Sequence, residues 1–176
     1  MKYKRIQKTV ISSLFAALIL VATLVVQIPI PATHGYINLG DCFVILSGIL
    51  LGPVSGPLAA GIGSALTDVI TGYAVYAPAT FIIKALMALA VALITIKRKN
   101  VLFTIPAALT AEIIMTCGYY VFEAFILKYG PAALSGVPMN LIQGGAGIVI
   151  SVLMVSAINR SEKLKQMFYG KGSDEI

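Results

Sequence analysis

Four ionisable side chains stand inside stretches otherwise apolar enough to cross a bilayer: Asp68, Lys84, Glu112 and Glu123. A charge at that depth costs at least about 2.5 to 3.5 kcal/mol on the insertion scale, so each reads as part of a polar cavity or as half of an internal ion pair. The partners open to Lys84 are Asp68 and Glu123, and such a pair could hold helices together, line a ligand site, or do both. Glu112, Thr116, Tyr119 and Glu123 follow at i, i+4, i+7 and i+11, which places all four within about a 60° arc of one helix. A stripe of that polarity is costly against lipid and belongs inside a bundle. Asn140, Gln143 and Gly147 share a face further along, offering amide donors and acceptors beside a position without a side chain. The competing role for the amides is interhelical hydrogen bonding, about 0.6 kcal/mol each. His34, Tyr36, Asn38, Tyr73 and Tyr76 fall in the connecting loops, where aromatic rings serve either as interfacial anchors or as stacking faces for a ligand. His34 is the only histidine, and Asp41 reads mainly as a helix cap.

The chemistry these residues do not support is equally informative. Neither a GxxxxGK[ST] phosphate loop nor a GxSxG nucleophile turn occurs, so the chain cannot hydrolyse ATP by itself. Four scattered charges supply neither a nucleophile with its base nor a carboxylate cluster for a metal. The reading is non-enzymatic, with no cofactor and no metal. Cys42 and Cys117 both stand in apolar stretches and are expected as small core residues rather than as a disulfide.

The elements that must position these groups follow from composition. With 59% hydrophobic and 11% charged residues over 176 positions, and a mean hydropathy of +0.94, the chain cannot cover a water-soluble surface, which takes roughly 25% charged residues. It reads as an all-α integral membrane protein, and the excess of basic charge does not point to nucleic acid. Eleven of the 13 Lys and Arg residues lie in three clusters: Lys2, Lys4, Arg5 and Lys8; Lys97, Arg98 and Lys99; Arg160, Lys163, Lys165 and Lys171. Positive charge beside membrane segments stays cytoplasmic, so each section between clusters crosses an even number of times.

That arithmetic gives a bundle of six transmembrane helices with both termini cytoplasmic. The spans fall at about 9–28, 41–52, 54–70, 78–96, 103–127 and 135–158, forming one membrane domain over 1–159, and a polar, fraying tail occupies 160–176. Pro29 and Pro31 stop the first helix, which is too long and lacks the cleavage site for a signal peptide. The second, ended by Gly52-Pro53, spans only about 18 Å and is too short to cross alone. Small residues Gly56, Ala59, Ala60, Gly63 and Ser64 let the third helix approach a neighbour closely. Pro78 opens the fourth at a favourable first-turn position. No repeat of 20 to 50 residues and no inverted pair of halves is visible, which argues against a self-sufficient secondary transporter.

The stretch Gly35-Tyr36-Ile37-Asn38-Leu39-Gly40-Asp41, then Leu51-Gly52-Pro53 with the small-residue helix ending at Asp68, Tyr73 through Lys84, and Pro138 through Gln143 resemble the substrate-binding S components of energy-coupling factor (ECF) vitamin transporters. The similarity covers essentially the whole chain and is nearest the hydroxymethylpyrimidine/pyridoxine type. It implies a multi-pass subunit of the bacterial cell membrane that captures a small vitamin or vitamin precursor outside and docks on a membrane scaffold, the T component, driven by two cytoplasmic ATPases. The family's docking pattern on helix 1 falls on Ser12 and Ala16 or on Ser13 and Ala17, loosened here to small-xxx-small. Its binding region corresponds to His34, Asn38, Lys84, Tyr119, Glu123, Asn140 and Gln143, to which the residue pattern adds Asp68, Tyr73, Tyr76 and Glu112. The alternative is a self-contained oligomeric channel or proton-coupled carrier using Asp68, Lys84 and Glu123 as a relay.

Overall fold

The structure, a computed structural model, describes residues 2–30 and 35–169. His34 and the last residues of the polar tail lie outside the described residues. Helices carry almost all of the chain: α1 (Lys2–Val25), α2 (Asp41–Ile70), α3 (Ala77–Thr95), α4 (Val101–Val121), α5 (Gly136–Arg160) and α6 (Glu162–Tyr169). Five of the helical segments are long and apolar enough to cross a membrane. Large apolar side chains such as Leu14, Leu58, Leu102, Ile113 and Leu153 point outward, as a surface solvated by lipid allows.

The first helix stops at Val25, earlier than the proline positions suggest, because Gln27–Ile30 forms a strand, β1, paired antiparallel with β2, Gly35–Asn38. Pro29 lacks an N–H and sits opposite Tyr36, in a two-stranded ribbon where both strands are edges.

The helices expected over 41–52 and 54–70 are two arms of α2. At Gly52 the backbone takes φ 78 and ψ −172, a conformation essentially confined to glycine, and Pro53 follows. The chain doubles back there. Ser47 Oγ donates to the Gly56 carbonyl at 3.2 Å, although residues nine apart on a continuous helix lie about 13.5 Å apart along its axis. The first arm, rich in Val44, Ile45 and Ile49, packs on Met87 and Val91 of α3, with Ala107, Ala108, Ala111 and Met115 of α4 closing the core.

Two further differences from the sequence reading have simple causes. Cys42 is buried, but Cys117 is exposed; it stands one turn beyond Ile113 on the outward face of α4, a position the apolar character of the stretch does not reveal. The tail after Arg160 includes the short helix α6, whose Lys165 and Glu162 pair at 3.5 Å. The Asn159 side-chain amide donates to the Lys99 carbonyl at 3.1 Å, tying the end of α5 to the α3–α4 connection.

Candidate functional site

One end of the bundle gathers polar groups from nearly every element. The last turn of α1 brings Thr23, β2 brings Tyr36 and Asn38, the end of α2 brings Ser64 and Asp68, and the start of α3 brings Tyr76, Thr80 and Lys84. Tyr119 and Glu123 come from the end of α4, and Asn140 and Gln143 from the first turns of α5. The helices alternate in direction, so this end lies opposite the basic residues at Lys8, Lys97–Lys99 and Arg160. The cavity has a volume of about 30 Å³, room for only a few water molecules. A larger ligand enters only if these side chains move apart.

The buried centre is an ion pair. Lys84 and Asp41, 3% and 1% exposed, bond through Nζ and Oδ1. The Gln143 amide donates to the other Asp41 oxygen, and both Lys84 Nζ and Gln143 Nε2 reach Met115 Sδ, at 3.3 and 3.1 Å. Neither Asp68 nor Glu123 is the lysine's hydrogen-bonded partner, as the sequence reading expects; that partner is Asp41. The helix begins after Gly40, with no side chain capping its first turn, and Asp41 is the first helical residue, its side chain buried. The ammonium also lies 5.6 Å from the centre of the Tyr119 ring, within cation–π range.

Around this centre, hydroxyl groups meet two further carboxyl groups, those of Asp68 and Glu123. Tyr36 donates to Asp68 Oδ1 at 2.6 Å and Tyr76 donates to Glu123 Oε1 at 3.1 Å. Thr80 and Tyr119 share a hydrogen bond of 3.1 Å. Burial, and then the neighbouring Asp68 carboxylate, push the Tyr36 hydroxyl well above the ordinary tyrosine range, which keeps it a donor. The β-ribbon is latched over the site twice: through Tyr36, and through the Asn38 backbone N–H, which donates to Gln143 Oε1 at 2.6 Å.

Of the residues singled out from the sequence, Tyr36, Asn38, Asp68, Tyr76, Lys84, Tyr119, Glu123, Asn140 and Gln143 line the cavity. Tyr73 does not; its ring sits 4.8 Å from that of Tyr36, outside the lining. Glu112 lies behind the cavity, 5% exposed, with neither carboxylate oxygen hydrogen-bonded. It occupies room left by two glycines, since a Cβ at Gly144 or Gly147 would come within 3.0 Å or 2.9 Å of its carboxylate. Thr116 is buried on the same stripe. A single π-helical turn, Phe122–Ile126, ends α4 and carries Glu123. Sequence reasoning missed Asp41, Thr23, Ser64, Thr80 and the Met115 sulfur. Asp41 had a signal, being one more carboxylate beside an apolar run, but the helix-cap reading absorbed it.

Small residues of α1 line a separate groove. Ser12, Ser13, Ala16 and Ala17 face it with Leu58 and Ile62 of the second α2 arm. Gly63 packs so closely on α1 that a Cβ there would lie 2.5 Å from the Ala16 carbonyl.

An apolar helical bundle with one polar cavity near an end of its helices is the architecture of an integral membrane protein that receives a small solute. A family model described as "ECF-type riboflavin transporter, S component" matches residues 4–160, and the chain belongs to that family. An uncharacterized protein of the gap 3' region in Pyrococcus woesei is 38% identical over 131 residues, covering 74% of this chain and 86% of that relative. The chain is therefore a multi-pass membrane protein and a substrate-binding subunit of the ECF transporter class, a family of transport components and not of enzymes. S components work in the bilayer with a T component and ATPases.

Proposed function

We propose that the chain crosses the membrane six times, the two arms of α2 counting as two passes, with both termini cytoplasmic and the polar cavity open to the outside of a bacterial cell. Basic clusters at the end opposite the cavity support this orientation. In this reading the cavity captures a small vitamin or vitamin precursor, such as hydroxymethylpyrimidine, pyridoxine or a similar molecule. Riboflavin, which the family description names, is the alternative ligand to include in any trial. The observation that carries the reading is the convergence of Lys84, Asp68, Glu123, Asn140 and Gln143 on one cavity from four helices far apart in sequence.

Binding would proceed by parting of the ribbon's two latches, entry of the ligand, and exchange of side-chain hydrogen bonds for bonds to the ligand. Tyr119 and Tyr76 offer ring faces and the amides offer donors and acceptors. Delivery would need the T component and the two ATPases, with Ser12, Ser13, Ala16 and Ala17 as the docking face, where small side chains let a scaffold helix come close. The test joins native mass spectrometry of the purified protein, to identify a co-purifying ligand, with uptake in liposomes. Uptake that requires the scaffold and ATPases is expected. Uptake by the chain alone would overturn the reading in favour of a self-contained channel or carrier.

A further inference from the structure

The end of the bundle opposite the cavity gathers positive charge from three elements. Lys97, Arg98 and Lys99 follow α3, Arg160 ends α5, and Lys163 and Lys165 stand on α6. Glu162 is the one carboxylate at this end among the described residues, and it pairs with Lys165. Across 97–99 and 160–176, basic residues outnumber acidic ones seven to three. Charge of this kind orients a membrane protein wherever in its loops it sits, so orientation by itself requires no particular arrangement. Here the cations are arranged. The chain is redirected at Ser161, which is extended at φ −106 and ψ 110, and the Ser161 hydroxyl accepts from the Leu164 N–H at 3.4 Å as α6 begins. The Asn159 bond to the Lys99 carbonyl holds the α3–α4 connection against this corner, and the Tyr169 ring at the end of α6 lies 5.1 Å from Lys99 Nζ. Arg98 lies 5.5 Å from the centre of the Phe103 ring.

The corner lacks an anion. Lys99 is half-buried and has no carboxylate partner among the described residues; burial pushes its ammonium below the ordinary lysine range, an effect that a neighbouring anion offsets. The Tyr169 hydroxyl is buried without a hydrogen-bond partner. Ile96 and Leu102, on either side of the basic run, are exposed, so the cations stand where the lipid-solvated surface ends. Clustered Lys and Arg residues beside a membrane helix attract acidic lipids, and aromatic rings at the same level sit among the headgroups.

We propose that this corner is a binding site for an anionic phospholipid, with Lys99, Arg160 and Lys163 meeting the headgroup phosphate and Ile96 and Leu102 lying against its acyl chains. The site is separate from the substrate cavity and does not depend on what that cavity binds. Phosphatidylglycerol fits it, having a net negative headgroup, whereas the choline of phosphatidylcholine cancels its own phosphate charge.

The test uses the full-length protein in detergent, where membrane orientation plays no part, and titrates it with phosphatidylglycerol and with phosphatidylcholine, reading bound lipid by native mass spectrometry. Phosphatidylglycerol is expected to bind about 10-fold or more tightly than phosphatidylcholine, with a preference that shrinks as salt is raised. Combining Lys99→Gln, Arg160→Gln and Lys163→Gln should bring the two lipids within about 2-fold of each other. Lys128→Gln, at the polar end of the bundle, should leave the preference unchanged. If the triple variant fails to fold, Lys163→Gln alone, at an exposed position, should still lower the preference about 3-fold or more. Equal binding of the two lipids by the parent protein would overturn the proposal, as would a preference that survives in the variants or is lost in Lys128→Gln. Displacement of phosphatidylglycerol by inorganic phosphate at equal concentration would overturn the lipid assignment. Failure of the variants to assemble with the scaffold and ATPases, with lipid binding unchanged, would give the surface to those subunits instead.

Discussion

The polar end of the bundle and the outward face of α1 are built on opposite principles. At the polar end, the bonds that tie the side chains together span long sequence separations: Lys84 meets Asp41, Gln143 meets Asp41 and the Asn38 backbone, and Tyr36 meets Asp68. These bonds interlock elements, and removing one partner strands another in a low-dielectric interior. On α1, Val10, Ile11, Leu14, Leu18 and Val21 are exposed, while Phe15, Ile19 and Thr23 turn inward. Substitutions on that outward face strand nothing. The first region is where binding and stability are coupled. The second is where a contact with another membrane helix can be gained or lost without disturbing the fold.

The sharpest way to break this contrast is Lys84→Met, which leaves Asp41 buried without its cation. A loss of about 3 to 5 kcal/mol is expected, read as a large fall in the thermal midpoint of the detergent-solubilised protein. The double variant with Asp41→Asn should recover much of it, because the stranded charge is gone. A single variant as stable as the parent would mean that the pair is not the structural centre.

Glu123→Gln keeps shape and removes charge at a cavity-lining position that accepts a bond from Tyr76. Ligand affinity should drop roughly 10- to 150-fold, the value of a charge-assisted hydrogen bond of about 1.5 to 3 kcal/mol. Titration with the identified ligand reads it. Unchanged affinity would return Glu123 to a purely structural role.

Gly52→Ala tests the hinge between the arms of α2. Nothing lies within 4 Å of the new Cβ, so the expected cost of about 1 to 3 kcal/mol is conformational alone. It should appear in chemical or thermal unfolding with little change in affinity once folded.

The smallest effect on stability should come from Ala17→Trp, within about 0.5 kcal/mol on an exposed face. Binding in detergent should stay near that of the parent, while uptake with the scaffold and ATPases should be blocked by the bulky ring. Equal loss of binding and uptake would place Ala17 in the fold and erase the contrast between the two regions.

Much of this organisation is legible in residue types. Membrane character follows from the scarcity of charge. Breaks at Gly52-Pro53 and before Pro78 follow from what those residues can adopt, whereas the first helix ends at Val25, before its prolines are reached. The inward set of the Glu112, Thr116, Tyr119 and Glu123 stripe follows from helical periodicity. The ribbon of 27–30 and 35–38 was not legible, since a strand this short carries no periodic signal and its pairing is decided by what lies beneath it. Cys117 was not legible as an outward residue because lipid-facing and core positions are both apolar, so hydropathy cannot tell one face from the other.

The sequence by itself determined that the chain lives in a membrane, that its basic residues cluster, and which polar groups are too costly to face lipid. Only the tertiary structure decided who meets whom. Lys84 had several carboxylates open to it, and local rules assigned Asp41 to a helix cap. The choice of Asp41 depends on the reversal at Gly52 and the packing of the first α2 arm against α3 and α4, which bring residues 41, 84, 115 and 143 together. Helical periodicity sets the direction of a side chain on its own helix. Only packing sets the distance to a side chain on another.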